Sequence, residues 1–156
     1  MGIRLRGYRA EDLDAMYALD VVCFERPFRF TRGAMKRFAE AKKARVVIAE
    51  EGEVMVGFVI LHVEAEVEGR TGYVVTLDVD LAFRRRGIAA LLMGEVEGQA
   101  RAGGCVAVVL HVFVGNEAAV KFYARMGYAR SHREEGFYGR GMDAWVYFKP
   151  LGEVEE

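Results

Sequence analysis

The sequence predicts an α/β (α+β) fold: one mixed sheet of about seven strands with helices on both faces. Three observations carry that expectation. Runs of strand character alternate with runs of helical spacing along most of the chain. Two pairs of β-rich runs follow each other directly, one over residues 45–63 and one near the C-terminus, so antiparallel neighbours are expected beside crossovers. No repeat, low-complexity tract or linker divides the 156 residues, a length that buries a substantial core as one unit. Residues 1–150 are expected to form a single domain, and 151–156 an acidic tail that frays.

Ile3 to Tyr8 reads as the first strand. Glu11 to Phe24 has helical spacing, with Leu13, Met16, Tyr17 and Leu19 on an apolar side and acids in the first turn. Pro27 should end that helix, because the residue before a proline is pushed toward extended geometry. Phe24, Phe28 and Phe30 then crowd a loop that either plugs into the core or forms an aromatic wall for a ligand. Thr31 suits the N-cap of a second helix reaching Ala41, with Met35 and Phe38 facing inward. Arg45 to Glu50 and Val54 to Val63 form a hairpin around Glu51-Gly52-Glu53, with Gly57 marking a bulge. Glu66 to Thr71 reads as a polar loop and Tyr73 to Val79 as a strand. A helix over 87–101 stops at Gly103-Gly104. Cys105 to Phe113 is apolar on both alternating faces apart from His111, which predicts a central strand buried on both sides. Asn116 caps a helix carrying Ala119, Phe122, Tyr123 and Met126, and Gly127 lies past its end. Tyr128 to Arg133 is a strand, Gly136 to Gly141 a glycine-rich loop, and Met142 to Lys149 the last strand.

Composition narrows the function classes. The net charge is −1, so no global basic field points to nucleic acid and no acidic excess points to disorder. No apolar run approaches the roughly 20 residues of a membrane helix. The first ten residues lack the apolar core of a secretory signal, and Arg6 breaks a myristoylation motif. Cys23 and Cys105 sit in apolar surroundings and read as buried packing thiols, which fits a reducing compartment and a cytoplasmic location. No Cys or His spacing suggests a metal site.

The stretch from Leu77 to Met93 carries the main chemical signal. Leu77-Asp78-Val79 closes an apolar strand, Arg84-Arg85-Arg86-Gly87-Ile88-Ala89 is a basic turn, and Ile88, Leu91, Leu92 and Val96 recur at helical spacing. A strand feeding a helix through such a turn leaves main-chain N–H groups unpaired at the positive end of the helix dipole, where phosphate binds. Gly87 lets a ligand approach the main chain, and the arginines add pairable charge. Arg84-x-x-Gly87-x-Ala89 resembles the Q/R-x-x-G-x-G/A signature of the GCN5-related N-acetyltransferases, the GNAT superfamily, with alanine in place of the commoner second glycine. The resemblance implies the GNAT fold and acetyl-CoA as co-substrate. It places the cofactor along Leu77, Asp78, Val79, Arg84, Arg85, Arg86, Gly87, Ile88, Ala89 and Ala90, with the pyrophosphate on the turn.

Leu110-His111-Val112 through Gly127-Tyr128 is similar to the L-x-V-x-x-x-N-x-x-A-x-x-x-Y-x-x-x-G-F block of the same superfamily, with Tyr128 for phenylalanine. That similarity implies that Asn116 contacts the pantetheine arm and that Tyr123 is the general acid beside the thioester sulfur. The two lie about 10 Å apart at 1.5 Å per residue, so they could line one elongated cofactor. Each also has a purely structural reading, Asn116 as a cap and Tyr123 as a half-buried helix aromatic. Within the superfamily the chain resembles the N-α-acetyltransferases of protein N-termini, including the ribosomal-protein alanine type. Cys23-Phe24-x-x-Pro27-Phe28 resembles their aromatic-proline loop, Gly72-Tyr73-Val74-Val75-Thr76-Leu77 their strand before the CoA turn, and Gly136-Phe137-Tyr138-x-x-x-x-Asp143-Ala144 their Y-Y-x-x-x-x-D-A segment. A peptide slot formed by Phe24, Pro27, Phe28, Tyr73 and Tyr138 is implied. His111 and Tyr73 match members in which a histidine, paired through water with a tyrosine on the preceding strand, serves as base. Alternatively, His111 is a hydrogen-bonded core residue.

The chemistry has a modest requirement. A peptide α-ammonium has a pKa of about 8 and a lysine about 10.4, so roughly a tenth of the former is already neutral at pH 7. An imidazole, ordinarily at about 6.5, suits that task directly or through water. A main-chain N–H near Val79 should meet the developing oxyanion. Three functions remain: acetylation of a peptide or protein N-terminus, ribosomal proteins included; acetylation of a free polyamine, amino acid or aminoglycoside; and non-catalytic acyl-CoA binding. No nucleic acid or membrane partner is expected, and the chain acts as a monomer or homodimer.

Overall fold

The computed structural model describes residues 2–152. Its strands are β1 (Ile3–Gly7), β2 (Ala44–Glu51), β3 (Val54–Glu66), β4 (Gly69–Val79), β5 (Cys105–Phe113), β6 (Ala129–Glu134) and β7 (Ala144–Pro150). They form one sheet in the order β1-β2-β3-β4-β5-β7-β6. All neighbours are antiparallel except β4 and β5, which are joined by the crossover helix α3 (Ile88–Ala102). The helices α1 (Leu13–Cys23), α2 (Arg32–Glu40) and α4 (Glu117–Arg125) complete the regular elements. The expected mixed sheet with helices on both faces is observed.

The apolar spacing read from the sequence decides which face each helix covers. Leu13, Met16 and Leu19 of α1 and Met35 and Ala39 of α2 pack on Val46, Ile48, Phe58 and Ile60. On the opposite face Ile88, Leu92, Met93, Val96 and Ala100 of α3 pack on Val47, Val59, Leu61, Val74 and Val108. Each fully buried apolar side chain there contributes about 1.5–3 kcal/mol. Caps fix the helix starts: the Thr31 hydroxyl accepts from Ala34 N at 3.1 Å, and Asn116 Oδ1 accepts from Ala119 N at 3.1 Å. Arg6 donates to both carboxylate oxygens of Asp12 at 2.8 Å and to Glu50 at 3.0 Å, tying β1 to β2 and to the turn before α1.

Several sequence expectations are corrected. The first helix ends at Cys23, and Pro27 sits in a short 3-10 turn, Arg26–Phe28. Glu66 to Thr71 is not a loop: β3 and β4 run on to pair Glu66 with Gly69, and only Val67 and Glu68 turn. Their polarity reflects exposure at the hairpin tip rather than missing pairing. Alternate β5 residues are buried on the α3 side only, while Val106 is 54% exposed and Val109, His111 and Phe113 are half-buried. An apolar pattern reports preference, not which helix is present to cover it. Cys105 is buried, but Cys23 is only partly covered. Leu151, read as the start of the tail, is 7% exposed and its N–H donates to Val106 O at 2.9 Å. Residues 153–156 of the expected tail lie outside the described residues. Among the described residues no helix is long and apolar enough to cross a membrane.

The site depends on one topological event. β4 and β5 pair only from Arg70 and Cys105 up to Tyr73 and Val109. Beyond that point β4 stays with β3 as far as the Gly57–Val79 pair, and β5 stays with β7 as far as Phe113–Ala144. A bulge helps turn β4: Leu61 faces Val74 and Ile60 faces Thr76, so Val75 is the extra residue. A second bulge places Val56 as the extra residue beside Gly57. Gly57 itself permits a close approach, since a Cβ there would lie 2.8 Å from Asp78 O and 3.2 Å from Leu92 Cδ1. The two parallel strands thus part in the middle of the sheet, leaving a gap.

Candidate active site

The gap exposes main chain on its β4 side. Asp80 N–H donates to Val56 O at 2.8 Å, toward β3. Main-chain direction alternates along a strand, so the N–H groups of Leu77 and Val79 point the other way, into the gap. The Val79 carbonyl receives the Cys23 thiol at 3.2 Å and Arg84 Nε at 3.4 Å. Asp78 differs from its neighbours. Its buried carboxyl accepts from the Thr76 hydroxyl at 2.5 Å and lies beside that of Asp20 on α1, which accepts from Phe30 N at 2.8 Å. Burial first, and Asp20 second, push Asp78 well above the usual carboxylate range. Among the described residues, Asp78 Oδ2 and Asp20 Oδ1 are both buried without a hydrogen-bond partner.

At the open end of the gap, the turn before α3 has the form expected of an anion site. Leu91 N–H is bonded to Gly87 O at 3.0 Å, which leaves the amides of Ile88, Ala89 and Ala90 ahead of the helical ladder. Gly87 has φ +76°, and a Cβ placed on it meets nothing within 4 Å. Arg85 also lies in the left-handed region at φ +66°, a conformation that disfavours L residues by about 1–2 kcal/mol. Left-handed residues within such a turn aim successive N–H groups into a concavity that suits an anion. The three arginines are not equivalent. Arg86 pairs with Glu51 at 2.5 Å and covers Phe83, Arg84 leans back on Val79, and Arg85 is exposed.

At the apex of the gap, Tyr73 Oη and His111 Nδ1 are 2.7 Å apart, in direct contact rather than bridged by water. Burial, then Tyr138 and Glu134, hold the Tyr73 hydroxyl above the usual phenol range, so it stays protonated. His111 is stacked on Phe137, with ring centroids 3.8 Å apart and planes inclined by 4°. Tyr123 on α4 is buried. Burial, then Tyr138 and Asp78, raise its pKa. Tyr138 itself is pushed up to about 12 by burial. Tyr138 contributes to the upward shifts of both Tyr73 and Tyr123. Asn116 stands exposed at the start of the same helix.

The phenylalanines of the 24–30 loop divide between the two readings. Phe30 plugs the core against Phe38 at 5.2 Å. Phe28 joins a wall with Phe113 at 5.1 Å and Tyr138 at 5.0 Å. Phe24 is half-buried outside that trio, and Pro27 is exposed. The wall's third side is held by Asp143, whose carboxylate accepts from Gly136 N and Arg133 Nε, each at 2.8 Å, and is kept below the usual range first by the Gly136 amide and then by Arg133. Phe113 was legible as a same-face neighbour of His111 two residues away. Phe137 stood in the sequence only as a substituted tyrosine, and Glu134, which approaches His111 Nε2 to 3.2 Å, gave no signal. Among the described residues, no cluster of His, Cys, Asp and Glu could hold a metal ion.

The Acetyltransferase (GNAT) family matches residues 13–128, from α1 to the end of the turn after α4. The chain belongs to that family. Among GNAT relatives, N-alpha-acetyltransferase 30 of Xenopus laevis is 33% identical over 98 residues, which are 62% of this chain and 36% of that protein. The human counterpart matches the same share of this chain and 27% of its own length. The chain therefore spans well under half of these relatives. An N-alpha-acetyltransferase of Sulfurisphaera tokodaii is 24% identical and covers 95% of this chain and 93% of its own. Arabidopsis thaliana NAA60 in complex with acetyl-CoA superposes with a TM-score of 0.84 at 25% identity, over 96% of this chain and 99% of that one. The ribosomal-protein-S18-alanine N-acetyltransferase of Escherichia coli shares the GNAT fold, with a TM-score of 0.85 at 16% identity over 99% and 97% of the two chains.

Proposed function

We propose that this GNAT chain transfers an acetyl group from acetyl-CoA to the α-amine of a peptide or protein N-terminus by direct attack. The parting of β4 from β5 carries the reading. It supplies exposed main chain, a tyrosine–histidine pair and an aromatic wall around one opening. The chain's residues fit the co-substrate. The open Gly87 cradle, the free amides of Ile88 to Ala90 and exposed Arg85 suit a diphosphate. The inward N–H groups of Leu77 and Val79 and the side chain of Asn116 suit the amide-bearing arm. Acetyl-CoA, when bound, supplies an activated acyl group on a thiol leaving group.

The protein's residues divide the remaining work. Val79 N–H would hold a carbonyl oxygen as it gains negative charge. Tyr73, hydrogen-bonded to His111, takes a proton from the incoming amine as it passes its own to Nδ1. Tyr123, protonated through burial, is the group able to protonate the departing sulfur. Phe28, Phe113 and Tyr138 form the apolar side of the acceptor slot, which favours a peptide over a small cation. The N-terminal acetylation named in its relatives supports the same acceptor class, ribosomal-protein N-termini included.

Release of free thiol from acetyl-CoA, measured with peptides beginning in Ser, Ala or Met beside free polyamines, amino acids and aminoglycosides, tests the proposal. Turnover of the peptides is the expected result. Turnover of free amines alone would replace the peptide by a small acceptor, and acetyl-CoA binding with no turnover would leave only a binding domain.

A further inference from the structure

His111 has two ring nitrogens, and the tyrosine uses one. Nδ1 meets Tyr73 Oη, while Nε2 is shut off from solvent and has no aligned hydrogen-bond partner. Glu134 Oε1 lies 3.2 Å from it, at ion-pair distance though off the line of a hydrogen bond. Phe137 seals one face of the ring and can neither donate nor accept. The imidazole side chain is 13% exposed, whereas that of Glu134 is 43% exposed at the end of edge strand β6. The same Oε1 lies 3.8 Å from Nε2 of His132, itself 58% exposed. The arrangement runs from the buried apex of the gap to the surface as Tyr73, His111, Glu134 and His132.

We infer that Glu134 is a positioning residue for the proposed acetyl transfer: its carboxylate keeps the proton of neutral His111 on Nε2 and balances the imidazolium that forms during turnover. The inference rests on the proposed amine deprotonation. With Nε2–H facing the carboxylate, Nδ1 presents its lone pair to the phenol. When the substrate ammonium gives a proton to Tyr73 Oη, the phenolic O–H breaks and an Nδ1–H bond forms. Tyrosine ends as it began, the amine becomes neutral, and the ring carries one positive charge beside one negative carboxylate. After product leaves, Nδ1 returns its proton through Tyr73 to water, which restores the starting tautomer. Without the carboxylate, no charge beside Nε2 favours Nε2–H, and resting states with Nδ1–H would offer Tyr73 a donor in place of an acceptor.

Two readouts test this on the intact protein. The 15N chemical shifts of His111 in the free protein should show the proton on Nε2, and Glu134→Gln should mix the tautomers. In peptide acetylation Glu134→Gln should lower kcat by about 10–100-fold, below the roughly 10⁴-fold seen when a fully buried triad aspartate is neutralised, with KM for acetyl-CoA unchanged and partial recovery in Glu134→Asp. An Nδ1–H tautomer in the free protein overturns the inference, as does a Gln variant with the original tautomer or the original kcat. If the unmodified protein acetylates no peptide, the proposed function fails, and the tautomer measurement still decides the role of Glu134.

Discussion

Strands β2 and β3 are buried along continuous runs, Val46 to Glu50 and Val56 to His62, because α1 and α2 cover one face and α3 the other. In β5 burial alternates, because only α3 and α4 lie over it, and β6 is almost wholly exposed. The first half of the sheet resembles a core slab, and the second resembles a wall with one bare side. His111, Phe113, Glu134 and the 136–143 loop all use that bare side. Packing energy is thus concentrated in one half, and Tyr73, His111 and Glu134 sit at the boundary between the two. The slab holds polar groups of its own: Glu50 is bonded to Arg4 and Arg6, His62 Nε2 meets Phe38 O at 2.8 Å, and the carboxyls of Asp20 and Asp78 lie side by side, both fully buried.

This division can be tested by variants that separate chemistry from stability. The largest effect is expected of Tyr123→Phe, which removes the hydroxyl and keeps the buried ring. The transfer rate should fall by about 10²–10⁴-fold, the usual worth of a general acid, with acetyl-CoA affinity and melting temperature little changed. Rapid-mixing thiol release against equilibrium binding checks this, and unchanged turnover would remove Tyr123 as the acid. Next, Leu92→Ala, in the slab and fully buried, should cost about 2–5 kcal/mol in denaturant unfolding, with kcat per folded molecule preserved. An equal loss of kcat would mean that the halves are coupled.

A smaller effect has a definite pH dependence. The pKa of Asp78 is raised in the folded protein relative to the unfolded carboxyl, so its contribution to stability is fully present below about pH 3.9 and is lost as pH rises through the raised value. Asp78→Asn keeps the acceptor for Thr76, adds a donor for Asp20 and cannot ionise. It should stabilise the protein by about 1–3 kcal/mol above that window and little below it. Thermal melts across pH would show the two curves separating as pH rises, and parallel curves would contradict the raised pKa. Last, Val106→Thr, on the bare side, should change unfolding free energy by less than about 0.5 kcal/mol. A larger loss would mean that something covers that side.

Local signals were legible in the sequence, and covering relations were not. Ile88, Leu92 and Val96 announced the inner face of α3 by spacing alone, and Thr31 and Asn116 announced helix starts by cap chemistry. The 84–89 turn was legible because its order of basic residues, glycine and apolar repeat is itself the geometry. Val109 and Phe113 misled, since apolar character cannot say whether a helix is there to cover a face. Phe28 and Phe30 are alike in the sequence, and only the path of the loop after Pro27 separates wall from core. Glu134 was invisible because its partner lies 23 positions earlier, across β7, and a lone glutamate on an exposed strand looks like any other surface charge.

The account depends on the 84–90 turn gripping a diphosphate while the co-substrate lies along the parted strands. Backbone amide shifts followed by NMR as coenzyme A is added test that most directly. The largest shifts should fall on Leu77, Val79, Gly87, Ile88, Ala89 and Asn116, with β1 and β2 unmoved. Saturable binding that leaves Gly87 to Ala89 undisturbed, or no binding at all, would contradict it.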